Sequence, residues 1–559
     1  WTAMTPIRHG TRFWRQGEPL VWATGGTLAF VLLSTVLLIG VVLVHGLGVF
    51  WPSAVAEITL ADGTRFHGQQ VQAETHPGTG GVSVQFKTAN RELDPQRLDF
   101  RWVAQEALHR LDYPADVLVV ERLENGSFFG CLERVDAAGV DLPADAPALE
   151  QLAAALAAVR SERAARIEPL AAQIQSLNRE LQGVQDTLLR LRYRRQRSVE
   201  RPGAAADASA TYDAAIARAS ARQGELQARS DELGAEQRVV AAALRQATAV
   251  FRLPSGDTHS VAVADMVRVW QPNAMSVWAK CRHYAAKIWE LLSDEPRESN
   301  TEGGLFPAIF GTVMLVFLMA ITCFPLGVVA GVYLGEYARE GPLVKTVRIA
   351  VNNLAGIPSI VYGIFGLGFF VYGIGRLLDE WFYPHLVEAN KMVFGTGGLL
   401  WASLTLGLLT VPVVIVSTEE AIRTIPQGVR ASSLALGATK FQTLMRVLLP
   451  MSSPGIMTGF ILAMARAAGE VAPLMITGVV KLAPTLPVDA QFPFFHPDRK
   501  FMHLGFHIFD IGFQSPNVEA SKPMVFVTTF LLVLIVLVMS SMAIYLRNSM
   551  RRRFQSRDI

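Results

Sequence analysis

The sequence predicts a polytopic α-helical membrane protein. It has six transmembrane helices, plus an extracytoplasmic small β domain interrupted by an antiparallel coiled-coil hairpin. Three observations predict this. The 559 residues are 51% hydrophobic and 18% charged, with a mean hydropathy of +0.29, whereas a soluble protein carries about 25% charged residues. The charge-free runs are long enough to cross a hydrocarbon core of about 30 Å, which takes about 20 helical residues. One charge-rich stretch, 51–302, stands apart from them and reads as β runs followed by long helices. The same composition excludes a disordered chain, which is poor in apolar residues. A net charge of +3 gives no ground for a nucleic-acid partner.

Residues 1–26 read as a cytoplasmic tail and 27–50 as the first span. No Asp, Glu, Lys or Arg occurs from 19 to 56. This stretch is too long for the apolar region of a signal peptide, and no small-residue cleavage site follows it. Trp1 rather than Met opens the sequence, which leaves the true N-terminus open. Residues 303–546 supply the other spans, at about 305–335, 349–375, 392–418, 453–478 and 523–546, with a loop at 419–452 and a tail at 547–559. The fifth span is apolar apart from Arg466 and Glu470.

Lys and Arg in short loops set orientation. Arg8, Arg12, Arg15, Arg339, Lys345, Arg348, Arg423, Arg430, Lys440, Arg446, Arg547, Arg551, Arg552, Arg553 and Arg557 fall on one side if there are six spans. The opposite loops, 376–391 and 479–522, hold only Arg376, Lys391, Lys481, Arg499, Lys500 and Lys522. Both termini are therefore expected in the cytoplasm of a multi-pass inner-membrane protein. Residues 51–302 are then expected outside, in the periplasm of a Gram-negative cell.

Within this insert, 56–146 and 248–271 alternate short β-like runs with turns, such as Val82-Ser-Val-Gln-Phe86 and Val267-Arg-Val-Trp270. Residues 147–247 carry a helical hairpin. Ile167, Leu170, Ile174, Leu177, Leu181, Val184, Leu188 and Leu191 keep 3-4 spacing, a coiled-coil seam. Pro169 marks a kink or a new helix start, and Pro202-Gly203 the turn. The second arm, Tyr212, Ile216, Ala219, Leu226, Leu233, Val240 and Leu244, has Gln and Ser at alternate seam positions. The hairpin is either a self-packed spacer or a docking arm for an unknown partner. The run Arg192–Arg197 is either a solvated tip or a contact for anionic surfaces. Cys131 and Cys281 both lie in the insert, as a disulfide or as two separate thiols. Cys323 reads as a small apolar filler of the second span.

The most specific segment is Ala431-Ser-Ser-Leu-Ala-Leu-Gly437-Ala-Thr-Lys-Phe-Gln-Thr-Leu-Met-Arg-Val447-Leu-Leu-Pro450. It suits two short helices meeting at Gly437, where glycine supplies permissive dihedrals and close approach. Pro450 is expected to end the second helix. The spacing resembles the "EAA" loop of ABC-importer permeases, which docks into a groove on the ATPase. The resemblance marks Ala431, Ser432, Ser433, Gly437, Ala438, Val447, Leu449 and Pro450 as the ATPase-coupling loop. Ala431 stands where that family usually has Glu, and Glu419, Glu420 and Arg430 are expected to supply charge nearby.

Phe324–Ala338, Asn353–Gly363 and Ala465–Pro473 further resemble the phosphate-importer permeases, of the PstA type. The resemblance covers somewhat under half the chain, and the insert does not belong to the compact family form. It implies the ABC-importer permease fold for 303–546. It also implies a second permease (PstC-like), an ATPase dimer (PstB-like) that holds the ATP and Mg, and a periplasmic phosphate-binding protein (PstS-like). Membrane lipid completes the expected surroundings.

Arg466 is expected near the middle of the fifth span, where an arginine costs about 2.5–3.5 kcal/mol on insertion scales. Glu470, one turn on, faces the same side. The pair is either a permanent salt bridge that orients the helix or an anion site that Glu470 holds between passages. A guanidinium fork matches phosphate oxygens bidentately, and the resemblance implies the second role. Asn353, Ser359 and Tyr362, beside Gly356 and Pro358, either line the path or satisfy backbone groups there. His503 and His507, at i and i+4, read as part of an amphipathic segment on the membrane surface rather than as metal ligands. No phosphate-loop motif occurs, so the chain is expected to be no enzyme and to carry no cofactor, with ATP hydrolysis on a separate subunit. Two alternatives stay open: a permease for molybdate, sulfate or phosphonate, and a membrane scaffold or sensor acting through the hairpin.

Overall fold

The computed structural model describes residues 18–75, 81–93, 99–136, 146–199, 206–297, 302–490, 492–515 and 518–555. The basic tail residues Arg8, Arg12, Arg15 and Arg557 and the Pro202-Gly203 link lie outside these.

Helix α1 (Glu18–Gly48) is apolar along its length and leads into the insert. Strands β1 (Ala56–Leu60), β2 (Arg65–Thr75), β3 (Val82–Lys87), β4 (Phe100–Ala104) and β5 (Leu108–Asp112) form one antiparallel sheet, ordered β4-β3-β2-β1-β5. A second antiparallel sheet holds β6 (Val117–Arg122), β7 (Ser127–Asp136), β8 (Thr248–Arg252), β9 (Thr258–Ala262) and β10 (Met266–Trp270), ordered β10-β6-β7-β8-β9. The register Cys131↔Arg252 joins β7 to β8 although more than a hundred residues separate them. The hairpin is what fills that gap.

It begins with α2 (Ala148–Glu162), whose Leu152, Ala155, Leu156 and Val159 are buried against Leu118, Phe128 and Phe251 of the second sheet. A π turn at Arg163–Ile167 leads into α3 (Glu168–Val199). Pro169 follows this turn without breaking the rod. It has no N–H to donate, and the widened turn just before it accommodates the missing bond. Helix α4 (Ala206–Leu244) returns. The arms are antiparallel: Arg195 pairs with Asp213, Glu180 with Arg222, and Asn178 with Ser230. Leu181 and Leu188 bury on one arm, and Leu226, Leu233 and Val240 on the other. Ser230 is buried among them, so the weaker second seam is closed partly by a hydrogen bond. Cys131 and Cys281 are separate free thiols, which removes the disulfide alternative.

After β10 come α5 (Val277–Ser293), a short ribbon of β11 (Pro296–Arg297) and β12 (Glu302–Gly303), and the membrane helices. These are α6 (Phe306–Val332), α7 (Pro342–Leu354), α8 (Ser359–Phe365), α9 (Arg376–Phe382), α10 (Pro384–Glu388), α11 (Leu399–Arg423), α12 (Gln427–Ala435), α13 (Lys440–Thr443), α14 (Leu449–Gly469), α15 (Ala472–Thr477), α16 (Leu504–Phe509) and α17 (Val518–Gln555). Among the described residues, six stretches are long and apolar enough to cross a membrane: Leu20–Gly48, Phe306–Tyr337, Ser359–Phe382, Leu399–Arg423, Lys440–Gly469 and Ser521–Met550. Helix α11 is the centre of the bundle, packed between α6 and α14. Leu315, Met319, Leu406, Leu409, Val414, Ala463 and Ala467 form its core.

Three expectations about these spans need correction. The third does not run from 349, because Pro358 and Gly356 split it into amphipathic α7 and the start of the span at Ser359. The fourth starts at Leu399, after a loop that Asp379 organises by accepting the N–H groups of Val393, Phe394 and Gly395. The fifth starts earlier, at Lys440, and ends at Gly469 rather than running to 478.

The 501–509 segment is not a surface helix either. His503 and His507 are buried, and burial pushes their imidazoles down, to about 3 and about 4. Leu504 N–H donates to Thr312 Oγ1 (2.9 Å), and the Met502 carbonyl lies directly on Gly311 of α6. Among the described residues no group of three His, Cys, Asp or Glu side chains is close enough to hold a metal ion.

At Gly311 an added methyl would sit 2.0 Å from the Met502 oxygen. Gly311→Ala is therefore expected to destabilise by about 1–3 kcal/mol, lowering the thermal unfolding midpoint in detergent. In the hairpin, Gly234→Ala meets only the tip of Arg238, at 4.0 Å. That change is expected to be neutral or stabilising by up to about 1 kcal/mol.

Candidate functional site

The fifth span stops where its charges are. Arg466 lies in the last turn of α14, and Glu470 is the residue after the helix, with extended backbone at φ −82°, ψ 132°. Arg466 is thus not near the middle of a continuous helix, as the charge-poor run suggested. The chain turns at Glu470-Val471 and resumes as α15. Arg466 Nε lies 3.5 Å from Glu470 Oε1. This is one long contact, where a tight charge-assisted bond would be about 2.7–2.9 Å. Among the described residues no hydrogen bond engages the guanidinium, and its side chain is 31% exposed. Ala465, Ala467, Ala468 and Gly469 around it add almost no bulk.

Helix α8 faces the break. Gly363 lets it approach so closely that a methyl there would lie 2.7 Å from Pro473 Cα. Tyr362 is buried in the same core as Ala467, Ala468 and Leu474. Its hydroxyl donates to the Leu354 carbonyl (2.7 Å), and it interacts electrostatically with Arg466. Ser359 opens the same short helix, half-buried, three residues before Tyr362. Asn353 is exposed on α7, across the Ala355–Pro358 turn. The structure therefore brings Arg466, Glu470 and Tyr362 together, with Ser359 one turn away, and leaves Asn353 outside the span.

On the far side, α12 and α13 meet at Gly437, whose φ of +85° suits glycine because it has no Cβ. Thr439 and Gln442 form a reciprocal capping box at the start of α13. The Ser433 and Thr443 hydroxyls, 2.9 Å apart, tie the two helices together. Ala431 and Ser432 are exposed on α12, and Ala438 is half-buried beyond Gly437. Val447 sits in a π turn, Leu444–Leu448, and Leu449 and Pro450 open α14. Pro450 does not end the second helix. The wide turn absorbs its missing N–H, so the loop passes without interruption into the span that ends at Arg466.

Sequence reading missed two features here. Leu436 is 89% and Phe441 64% exposed at the loop tip, two large apolar side chains facing outward. Glu419 and Arg430 also act inward. Arg430 donates to Glu336 (3.0 Å) and to the Ile422 and Ile425 carbonyls. Glu419 binds Arg348 (2.7 Å) and Arg423 (3.1 Å), and Glu340 binds the same two arginines. Arg348 beside it holds the Glu340 carboxyl below the usual range. Arg348, Glu419 and Arg423, with Asn352 and Glu420, rim a cavity of about 170 Å³ between α7 and α11. They brace the loop against the bundle.

Residues 327–552 match the family described as binding-protein-dependent transport system inner membrane component. The probable ABC transporter permease protein YqgI of Bacillus subtilis is 32% identical over 225 residues, 39% of this chain and 70% of that protein. The phosphate transport system permease protein PstA of Mycobacterium leprae is 35% identical over 174 residues, 31% of this chain and 51% of that protein. The chain thus spans about half the length of this second relative. Among solved structures, an inward-facing MetNI methionine ABC transporter aligns with 47% of this chain and 98% of its own, at 19% identity and a TM-score of 0.32.

Removing the brace tests how the loop is held. Arg430→Gln is expected to raise amide exchange across 427–449 roughly tenfold, equivalent to about 1.4 kcal/mol. Exchange in the α6–α11 core should stay unchanged, as read by hydrogen–deuterium exchange mass spectrometry.

Proposed function

This chain belongs to the family of binding-protein-dependent transport system inner membrane components, the permeases of ABC transporters, and on that premise we propose that it is the PstA-type subunit of an importer of inorganic phosphate. As a family member it is a multi-pass membrane subunit of a transporter rather than a catalytic enzyme. The family works with an ATPase and a substrate-binding protein. The finer assignment joins it to a PstC-like second permease, a PstB-like ATPase dimer carrying ATP and Mg, and a PstS-like periplasmic binding protein. Both termini are then cytoplasmic, and residues 51–302 periplasmic.

One observation carries the anion reading. Arg466 sits at a helix end between closely packed spans, on a single 3.5 Å contact, with the rest of its guanidinium uncommitted. A permanent structural pair in apolar surroundings would need good geometry and further hydrogen bonds to offset desolvation. Arg466 has neither. It is arranged to exchange a weak internal partner for a stronger incoming one. Phosphate oxygens match its fork, and Glu470 re-engages it after passage. The relative from Mycobacterium leprae is a phosphate permease, which favours phosphate over molybdate, sulfate or phosphonate.

The mechanism is alternating access. The ATPases close on ATP and move the Gly437 loop, where Leu436 and Phe441 offer the docking contacts. The continuous helix from Lys440 to Gly469 carries that movement to Arg466. The binding protein releases phosphate toward the break, and hydrolysis returns the path to its inward state.

Arg466→Gln is expected to reduce phosphate uptake to background in the full complex while assembly is retained. Uptake at the normal rate would remove the role given to Arg466. Competition by sulfate and molybdate against labelled phosphate is expected to be weak. Strong competition would move the assignment to another oxyanion.

A further inference from the structure

Helix α5 wears its apolar residues on the outside. Trp278, Cys281, Ala285, Trp289 and Leu292 follow 3-4 spacing along one exposed face, with Trp278 80% and Trp289 71% exposed. Arg282 is the single charged side chain within that helix's exposed set. Two charged residues point inward instead. Lys287 and Glu290 join Glu121, Arg268 and Arg297 in an ionic cluster whose carboxylates are buried. Burial alone would raise the Glu121 carboxyl, but Lys287 and Arg297 outweigh it and hold it down. A helix facing water has the opposite arrangement.

Two contacts fix where this face lies. Leu291 shares a core with Ala308 of α6, with Met524, Val527 and Leu531 of α17, and with Val49 and Phe50 just beyond α1. Tyr284 meets Trp51, three residues past the end of α1, with ring centroids 6.2 Å apart. Tyr284 and Leu291 are about 10 Å apart along the helix, and Trp289 falls between them. The outward face therefore stands at the rim of three membrane helices, where their apolar length ends.

We propose that α5 is an interfacial helix whose partner is the lipid surface, with the Trp278–Leu292 face seated at the headgroup and acyl boundary on the insert's side of the membrane. Trp and Tyr concentrate at this depth because their rings are apolar and their polar tips stay wet. An amphipathic helix with Trp and Leu on one face lies flat there. Arg282 beside the stripe suits lipid phosphates. The anchor sets the height of the β domain over the bundle. It also helps hold the hairpin where Asp186 meets His385 of α10 (2.8 Å), so that the insert is fastened to the permease at two places. The inference rests on the six spans and is independent of the substrate assigned above.

Cys281 is exposed, whereas Cys131 is half-buried and Cys323 buried, so a maleimide nitroxide is directed to the wanted face without mutation. The full chain is labelled in nanodiscs of phosphatidylethanolamine and phosphatidylglycerol, with the site confirmed by mass spectrometry. The ratio of oxygen to nickel-chelate collision rates is then read by electron paramagnetic resonance. The expected ratio is severalfold higher than at a Ser220→Cys label on the hairpin of a chain in which Cys281→Ser removes the native site. It should fall toward that value in Trp278→Glu/Trp289→Glu. Equal ratios at both positions would overturn the proposal, because the face would then be in water. Protection from both reagents would overturn it too, because protein rather than lipid would cover the face. If the double variant fails to assemble, the comparison of the two singly labelled positions, with both tryptophans in place, decides alone.

Discussion

A guanidinium among apolar helices must be compensated, and this bundle depends on how Arg466 is accommodated. At the middle of an unbroken helix its insertion would cost about 2.5–3.5 kcal/mol. The chain instead ends the helix three residues later, at Gly469, and turns at Glu470. Glu470 stays in reach across the break, and only small residues surround the charge. It also sends α15 onto α8, where Gly363 admits Pro473. The packing of Tyr362, Ala467, Ala468 and Leu474 follows from that turn. Had Glu470 continued the helix, α15 would lie along the axis of α14 and α8 would lose its partner.

The same helix links the two ends of the protein. Backbone groups at membrane depth must be satisfied within the protein, which ordinarily makes a proline a point of interruption. A π turn before Pro450 keeps the rod intact from Lys440 to Gly469. Arg430 and the Glu340–Arg348–Glu419–Arg423 group clamp the loop's root to α6, α7 and α11. The tip, with Leu436 and Phe441, faces outward. Movement imposed there has a stiff route to Arg466 and few softer ones.

Much of this was legible in the sequence, for identifiable reasons. Missing charge reports membrane spans directly, so all six were readable. Seam spacing reported the hairpin, and the Gly437 loop was readable because it couples a turn residue to fixed distances on either side. Helix breaks were not readable from hydropathy. The runs through Pro358 and through Glu470 stay apolar whether or not the backbone turns. The burial of His503 and His507 was hidden because it depends on Gly311 and Thr312, nearly two hundred residues earlier. Glu419 and Arg430 looked like loop charges for a partner, yet their partners are Arg348 and Glu336 in the same chain. The exposed face of α5 was missed for the opposite reason. Its two tryptophans resemble core residues until the fold places them outside.

The central claim is that Arg466 acts by its position as an anion site and not merely as half of an ion pair. A charge swap separates these roles. Arg466→Glu/Glu470→Arg keeps one positive and one negative group at the break, so assembly and heat stability should stay near those of the native chain. ATP-driven uptake of labelled phosphate into proteoliposomes holding the complete transporter is the decisive reading. Uptake at background is expected in the swapped protein despite normal assembly. Uptake restored to the native rate would contradict it and reduce the pair to a structural brace.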